Sequence, residues 1–198
     1  MKLVRVGSMA IFSALWLGFS ITAAEAEKAH DHSGHGETAK MEEMQEAAAH
    51  VIVDSIAQHQ IDLLVGAYLV VSDHLAHDRL DSLSGPLGQM SMAAKALAKH
   101  QEEHVALHAA KVASSVPVEI GDIKTVRASF AALSGAVIAL VEKAPPSNMA
   151  GRDINKAYCP MKSAAWLQRG GDILNPYYGS EMASCGSIKN AIQTVHIH

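Results

Sequence analysis

From Met41 to Pro146, apolar residues recur every three or four positions, the spacing that places them along one side of a helix. The pattern is clearest near its end, where six apolar residues are separated by 3, 4, 3, 4 and 3 positions. These residues are Ile123, Val126, Phe130, Leu133, Val137 and Leu140. Asp122 is the predicted N-cap of this helix, and Pro145-Pro146 ends it.

Three further helices are predicted ahead of it. The first has apolar residues separated by 4, 3 and 4 positions, at Leu64, Tyr68, Val71 and Leu75. The second runs from about Asp78 to Lys99 and should be kinked or broken at Gly85-Pro86, because proline clashes with the preceding turn. The third covers about His100 to Ser115. Four helices with short links predict an all-α protein in which residues 41–146 form an antiparallel four-helix bundle.

The helical period is lost after Pro146. Residues 147–198 are interrupted by glycine and proline, and they contain both cysteines. Four aromatic residues also lie here, namely Tyr158, Trp166, Tyr177 and Tyr178. We expect an irregular C-terminal segment that packs on the bundle and completes the same domain. Such a segment is where a functional site is expected.

The N-terminus has the features of an export signal. Lys2 and Arg5 precede an uncharged run of 16 residues, Val6 to Ile21, and small residues follow. A membrane-spanning helix needs about 20 residues, so the run predicts a signal peptide over 1–26, cleaved after Ala24 or Ala26. The protein is therefore expected in the periplasm, and not as an integral membrane protein after cleavage. Residues 27–40 are predicted to be a flexible, histidine-containing lead.

Composition narrows the class of protein. The chain is 49% hydrophobic, 5% aromatic and 18% charged, which excludes wholesale disorder and disfavours an all-β sandwich. The net charge of −4 gives no indication of a basic surface that would bind nucleic acid. The sequence contains no phosphate-binding loop, dinucleotide fingerprint or nucleophile-elbow motif, and we expect no enzyme activity.

Sulfur-containing residues give the sharpest chemical signal. Cys159-Pro160-Met161 places a thiol and a thioether two residues apart, and Met182 lies three residues before Cys185. A short helix capped by Ser180 and ended by Gly186 would direct Met182 and Cys185 to one face. Thiolate and thioether ligands select Cu(I) or Ag(I) over Zn(II) or Mg(II). The pattern predicts a Cu(I) site formed by Cys159, Met161, Met182 and Cys185, which Trp166 and the tyrosines could shield.

The same cysteines allow a different interpretation. Two cysteines in an exported chain usually form a disulfide, and a Cys159–Cys185 bridge would exclude the metal. Closing this 26-residue loop is worth about 3 kcal/mol in the entropy model. Met161 and Met182 would then fill gaps in the packing. A redox-labile pair that binds metal only when reduced would reconcile the two.

The histidines give a vaguer signal. His30, His32 and His35 in the lead could bind a metal weakly, or be incidental to a solvated linker. On a helix, His100 and His104 would be four residues apart and share a face, so they are a speculative metal-binding pair beside the alternative of a solvated surface. Gln101 stands where a zinc protease needs its general-base glutamate, which excludes that activity.

Three stretches resemble one uncharacterised domain family. They are YLVVSDHLAHD at 68–78, VRASFAALSGAVIAL at 126–140, and AYCPMKSAAWLQRGGDILNPYYGSEMASCG at 157–186. The family occurs alone in exported bacterial proteins and fused to periplasmic adaptor subunits of copper, silver and other heavy-metal efflux pumps. The resemblance covers about residues 57–190. Its motif residues in this chain are Cys159, Met161, Trp166, Asn175, Tyr177, Met182 and Cys185.

Together these features predict a periplasmic soft-metal binding module that acts as a chaperone, buffer or accessory of heavy-metal efflux. Its expected partners are the metal ion and an efflux adaptor or another metal carrier. Asn175, with Trp166 and Tyr177, would support the site. The alternative is a disulfide-stabilised interaction domain that docks an efflux adaptor or a sensor without binding metal.

Overall fold

The computed structural model describes residues 50–196 of the chain. Within them, the chain forms four α-helices, a three-stranded antiparallel sheet and a single 3₁₀ turn. The helices are α1 (Ser55–Ala76), α2 (Ser84–Leu97), α3 (Glu103–Ser115) and α4 (Ile123–Lys143). The strands are β1 (Ile154–Cys159), β2 (Ala164–Arg169) and β3 (Ser187–Ala191), and the 3₁₀ turn is Gly179–Glu181. The predicted all-α class is therefore wrong, because the C-terminal segment contributes a sheet to a mixed α/β domain.

The two long helices begin at aspartate caps. Asp54 accepts a hydrogen bond from the Ala57 amide at 2.8 Å, and Asp122 accepts one from Thr125 at 2.9 Å. Both bonds satisfy amides that lack a partner in the first turn of a helix. The predicted cap and end of α4 are confirmed. Helix α4 is also long and apolar enough to cross a membrane, yet half of the stretch that qualifies is buried inside this protein, as in core helices.

The second helix starts later than predicted and has no kink at Gly85-Pro86. These residues lie in the first turn of α2, where the N–H that proline lacks has no helical partner to lose. Before it, the chain turns between Asp78 and Leu83, with positive φ at Asp78 (56°) and Ser82 (62°). A backbone in that conformation cannot continue a right-handed helix.

Successive helices pack against one another, and α1 also contacts α4. The sheet is attached to this bundle through β2, which packs on α4 and α1. Buried polar contacts tie the two parts together. The Tyr68 hydroxyl lies 2.7 Å from Ser134 Oγ of α4 and accepts the Leu167 amide of β2 at 3.2 Å. The Tyr68 ring stacks on Phe130 with centroids 5.3 Å apart, so the apolar core continues up to the sheet.

The strand order is β2-β1-β3, and both pairings are antiparallel. Cys159 pairs with Ala164, so the hairpin turn consists of residues 160–163. Ser163 takes a positive φ of 54° in this turn, a conformation for which glycine or asparagine is the usual signal. Between β1 and β3 the register shifts past Lys189, whose ammonium lies 5.5 Å from the centroid of the Tyr158 ring.

Candidate thiol site

The sheet register brings the two cysteines together. Cys159 is the last residue of β1, and Tyr158 pairs with Ser187 at the start of β3. Because β1 and β3 are antiparallel, the chain that leaves β1 runs beside the chain that enters β3 at Cys185 and Gly186. The two sulfur atoms lie 3.5 Å apart and are not bonded to each other.

Amide groups surround the sulfur of Cys159. The Lys162 N–H donates to it at 3.4 Å, and the nearby Met161 N–H and Asn175 side chain also lower the pKa of this thiol. Burial of the thiol raises its pKa, but these groups together with Cys185 outweigh burial and hold the pKa of Cys159 below its ordinary value.

The pKa of Cys185 is shifted in the opposite direction. Its thiol is half-buried and is hydrogen-bonded to Cys159, which is the main reason that its pKa is raised. Partial burial and the negative charge of Cys159 raise the pKa further, against a smaller opposing contribution from the Met161 amide. The pair therefore favours a state with the charge on Cys159 and the shared proton on Cys185.

Asn175 organises the segment that carries Cys185. Its side chain is fully buried and donates to the Cys185 carbonyl at 2.6 Å, while its side-chain oxygen accepts the Tyr177 amide at 2.8 Å. The Asn175 backbone N–H donates to the Ala183 carbonyl at 2.9 Å. One buried amide thus fixes both ends of the 175–185 loop, and replacing it would leave several buried groups without partners.

Two aromatic side chains in contact with each other, Trp166 and Tyr177, lie near the thiol pair. Trp166 is fully buried, donates its indole N–H to Gln168 Oε1 at 3.0 Å, and meets Tyr177 edge to face with centroids 5.8 Å apart. Burial, together with the nearby Cys159, raises the pKa of Tyr177 to about 12 although its contact with Ser134 lowers it. A Cβ at Gly186 would lie 2.7 Å from Trp166 Cη2, so only glycine fits beside the indole.

The two methionines lie in different turns and differ in exposure. Met161 lies in the hairpin turn with 67% of its surface exposed, and its backbone N–H lowers the pKa of both cysteines. Met182 is half-buried and follows the 3₁₀ turn with a φ of −149°. The predicted short helix through Met182 and Cys185 is therefore wrong. A turn replaces it, in which the Cys185 N–H donates to the Met182 carbonyl at 3.0 Å.

The histidine pair on α3 does not form as predicted. His100 precedes the first residue of α3, accepts the Glu102 amide through Nδ1 at 3.1 Å, and has Nε2 3.4 Å from Asp54 Oδ2. His104 is exposed on α3 itself. Both ring nitrogens of His100 are thus engaged by this chain, away from His104. His30, His32 and His35 lie outside the described residues.

Sequence reasoning missed two residues that contact the site's surroundings. Arg127 of α4 donates to Pro176 O at 3.0 Å and to Asp78 Oδ1 at 2.6 Å, and Asp78 Oδ2 accepts the Ser180 amide at 3.0 Å. Asp78 and Arg127 both fall within the stretches that resemble the domain family, but neither shows a recognisable motif. Their proximity, 49 positions apart in sequence, is a property of the fold.

Comparisons of this chain with protein-family models, with curated proteins and with solved structures find no match.

Proposed function

We propose that the Cys159–Cys185 pair binds a soft monovalent metal ion, Cu(I) or Ag(I), as cargo. The observation that carries the proposal is the approach of the two sulfurs to 3.5 Å, with the Lys162 N–H donating to Cys159 Sγ at 3.4 Å. This donor favours the thiolate, which is the form that binds metal. The pairing also joins two halves of the sequence motif that lie 26 positions apart.

The number and type of ligands favour a soft ion over zinc. Among residues 50–196, no group of three or more His, Cys, Asp and Glu side chains is placed to hold a metal. Structural zinc sites take four such ligands, whereas thiolate and thioether ligands suit Cu(I). Met161 and Met182, which lie two and three residues from the cysteines in sequence, are the candidates for an additional thioether ligand.

The proposed role is that of a periplasmic chaperone, buffer or accessory of heavy-metal efflux. The signal-like N-terminus and the resemblance to a domain that occurs fused to efflux adaptors support it. Since Met161 is the most exposed sulfur of the group, it is the ligand that an efflux adaptor or another metal carrier would meet first. The histidines of the lead would raise the local metal concentration.

Competition for Cu(I) tests the proposal. The reduced protein is titrated with Cu(I) in the presence of a chromophoric chelator, and we expect one ion to be withdrawn from the chelator. Cys159→Ser and Cys185→Ser should abolish the competition. Met161→Leu should weaken binding by about tenfold, which is about 1.4 kcal/mol, if its thioether is a ligand. Failure of the reduced protein to compete would refute metal binding.

A matched variant controls for methionine loss. Met149 is 81% exposed and lies outside the motif, so Met149→Leu should leave the Cu(I) affinity unchanged. Equal effects of Met149→Leu and Met161→Leu would exclude Met161 as a ligand. Met182→Leu examines the half-buried thioether in the same way.

A structural disulfide is the second candidate, and the same sulfur approach supports it. A disulfide bond is about 2.05 Å long, so Cys159 and Cys185 need to close from 3.5 Å by side-chain rotation. The mass of the unreduced protein decides between free thiols and a bridge. A mass lower by two hydrogens would show a disulfide. If that disulfide also resists reduction by glutathione, it is a permanent structural bond and leaves no thiolate to bind a metal.

A further inference from the structure

An ion pair between two residues of the helical half, Asp78 and Arg127, holds the segment that carries Cys185. Arg127 and Asp78 lie 2.6 Å apart, and the side chain of Arg127 is only 12% exposed. Arg127 also donates to the Leu75 carbonyl at 2.5 Å, which satisfies a carbonyl in the last turn of α1. The ion pair is therefore attached to the C-terminal end of α1 and to the N-terminal part of α4, independently of its contacts with the segment that carries Cys185.

From this base, the ion pair binds the loop at two backbone groups. Arg127 Nε donates to the Pro176 carbonyl at 3.0 Å, and Asp78 Oδ2 accepts the Ser180 N–H at 3.0 Å. Gly179 lies between these points with φ of 56°, and a Cβ there would overlap the Arg127 guanidinium and the Asp78 carboxylate. Only glycine allows the loop to approach this closely.

The connection from this loop to Cys185 is short and hydrogen-bonded. The Met182 N–H donates to the Gly179 carbonyl at 3.2 Å, and the Cys185 N–H donates to the Met182 carbonyl at 3.0 Å. Asn175 restrains the other end of the same loop. Because two consecutive hydrogen-bonded turns connect Gly179 to Cys185, we expect a shift of Gly179 or Ser180 to move the Cys185 sulfur.

We propose that Asp78 and Arg127 are positioning residues for the thiol pair, because they anchor residues 176–180 and so set how closely Cys185 Sγ approaches Cys159 Sγ. The inference rests on the proposed function for its biological meaning. The approach of the thiols itself can be measured without any metal.

Equilibration with glutathione measures that approach. One oxidised glutathione accepts two electrons and two protons from the Cys159 and Cys185 thiols, so that one S–S bond forms in the protein, one breaks, and two reduced glutathiones are released. The equilibrium constant reports the effective concentration of one thiol at the other. Asp78→Asn removes the charge that bridges Arg127 and Ser180 while tolerating the positive φ, and we expect it to lower this constant by about tenfold.

The matched control is Asp73→Asn. Asp73, in the last turn of α1, pairs with Arg79 at 2.7 Å, and its carboxylate forms no hydrogen bond with residues 176–180. We expect no change in its glutathione equilibrium, although both variants remove one aspartate–arginine ion pair. Equal effects of Asp73→Asn and Asp78→Asn, or no effect of Asp78→Asn in a folded protein, would overturn the positioning role.

A conservative variant keeps the test valid if Asp78→Asn unfolds the protein. Arg127→Lys retains the charge but loses the fork that contacts Asp78 and Pro176 together, and should lower the constant by a smaller factor. An unchanged constant in folded Arg127→Lys would contradict the proposal. Failure of the unmodified protein to bind Cu(I) would refute the proposed function alone, because the glutathione equilibrium is measured without metal.

Discussion

The helical half and the sheet half of this domain are stabilised in different ways. In the half up to Pro146, an apolar residue every three or four positions is buried against a neighbouring helix, and aspartate caps begin the two long helices. In the half from Ser147, single buried polar side chains such as Gln168 and Asn175 bond to backbone groups four to ten positions away that belong to loops. Many apolar contacts therefore stabilise the bundle, whereas a few specific hydrogen bonds position the residues of the thiol site.

The largest expected effect tests whether both halves unfold together. Trp166→Ala empties the largest fully buried position of the sheet half and should lower the free energy of unfolding by about 3–5 kcal/mol. Phe130→Ala in α4 should lower it by a similar amount, because Phe130 contacts both Tyr68 and Tyr177. Urea denaturation followed by far-ultraviolet circular dichroism measures both. A separate transition that moves in only one variant would show that the halves are independent.

The next effect concerns a single buried amide. Asn175→Ala leaves the Cys185 carbonyl and the Tyr177 N–H without their partners and should cost about 1–3 kcal/mol. It also removes a side chain that lowers the pKa of Cys159, so this pKa should rise. Thiolate absorbance at 240 nm measures the pKa. Asn155→Ala, whose amide bonds Gly170 O near the surface, should cost no more than about 0.5 kcal/mol; a cost as large as that of Asn175→Ala would contradict the contrast.

An identical substitution in the two halves should have opposite signs. Gly179→Ala introduces a Cβ at positive φ against Arg127 and Asp78 and should destabilise the protein by at least about 1–2 kcal/mol. Gly135→Ala, on the exposed side of α4 with open space around its Cβ, should stabilise it by about 0.5–1 kcal/mol. Thermal denaturation of both variants gives the signs. Two shifts in the same direction would remove this distinction.

The smallest effect is a pH dependence at the Asp78–Arg127 pair. Hydrogen bonds from Ser180 and from Arg127 lower the pKa of Asp78 to about 2, below the value of about 3.9 expected in the unfolded chain. The unfolded state therefore binds the proton more readily. This contribution is present above about pH 4 and is lost as pH falls towards 2. Urea titrations across that range should show a shallower loss in Asp78→Asn; an unchanged slope would contradict the assignment.

Sequence reasoning located the helical half because its burial is periodic. Helix α4 has the predicted stripe and cap and ends at Lys143, just before Pro145-Pro146, since each of these signals acts within a few positions. The start of α2 was misplaced because the positive φ values at Asp78 and Ser82 occur at residues that are not glycine. No local residue preference identifies such turns when tertiary contacts stabilise them.

The strands were missed for a related reason. The sequences INKAYC and AAWLQR contain alanine, lysine, glutamine and asparagine, which are not typical of strands, and they do not alternate cleanly between apolar and polar. The turn at 160–163 has no glycine, although Ser163 takes a positive φ. The spacing of the sulfur residues did direct attention to Cys159 and Cys185, but their juxtaposition depends on the β1–β3 register, which that spacing does not encode.

The contact between Trp166 and Gly186 gives the site its own optical probe. The described part of the chain contains one tryptophan, and its ring touches the residue that follows Cys185. A heavy ion bound at the thiols, or a disulfide formed there, would quench or shift the indole emission, whereas changes in the distant turn between α2 and α3 would leave it almost unaltered. The proposed metal binding and the oxidation of the thiols can therefore be tested in real time on the unlabelled protein.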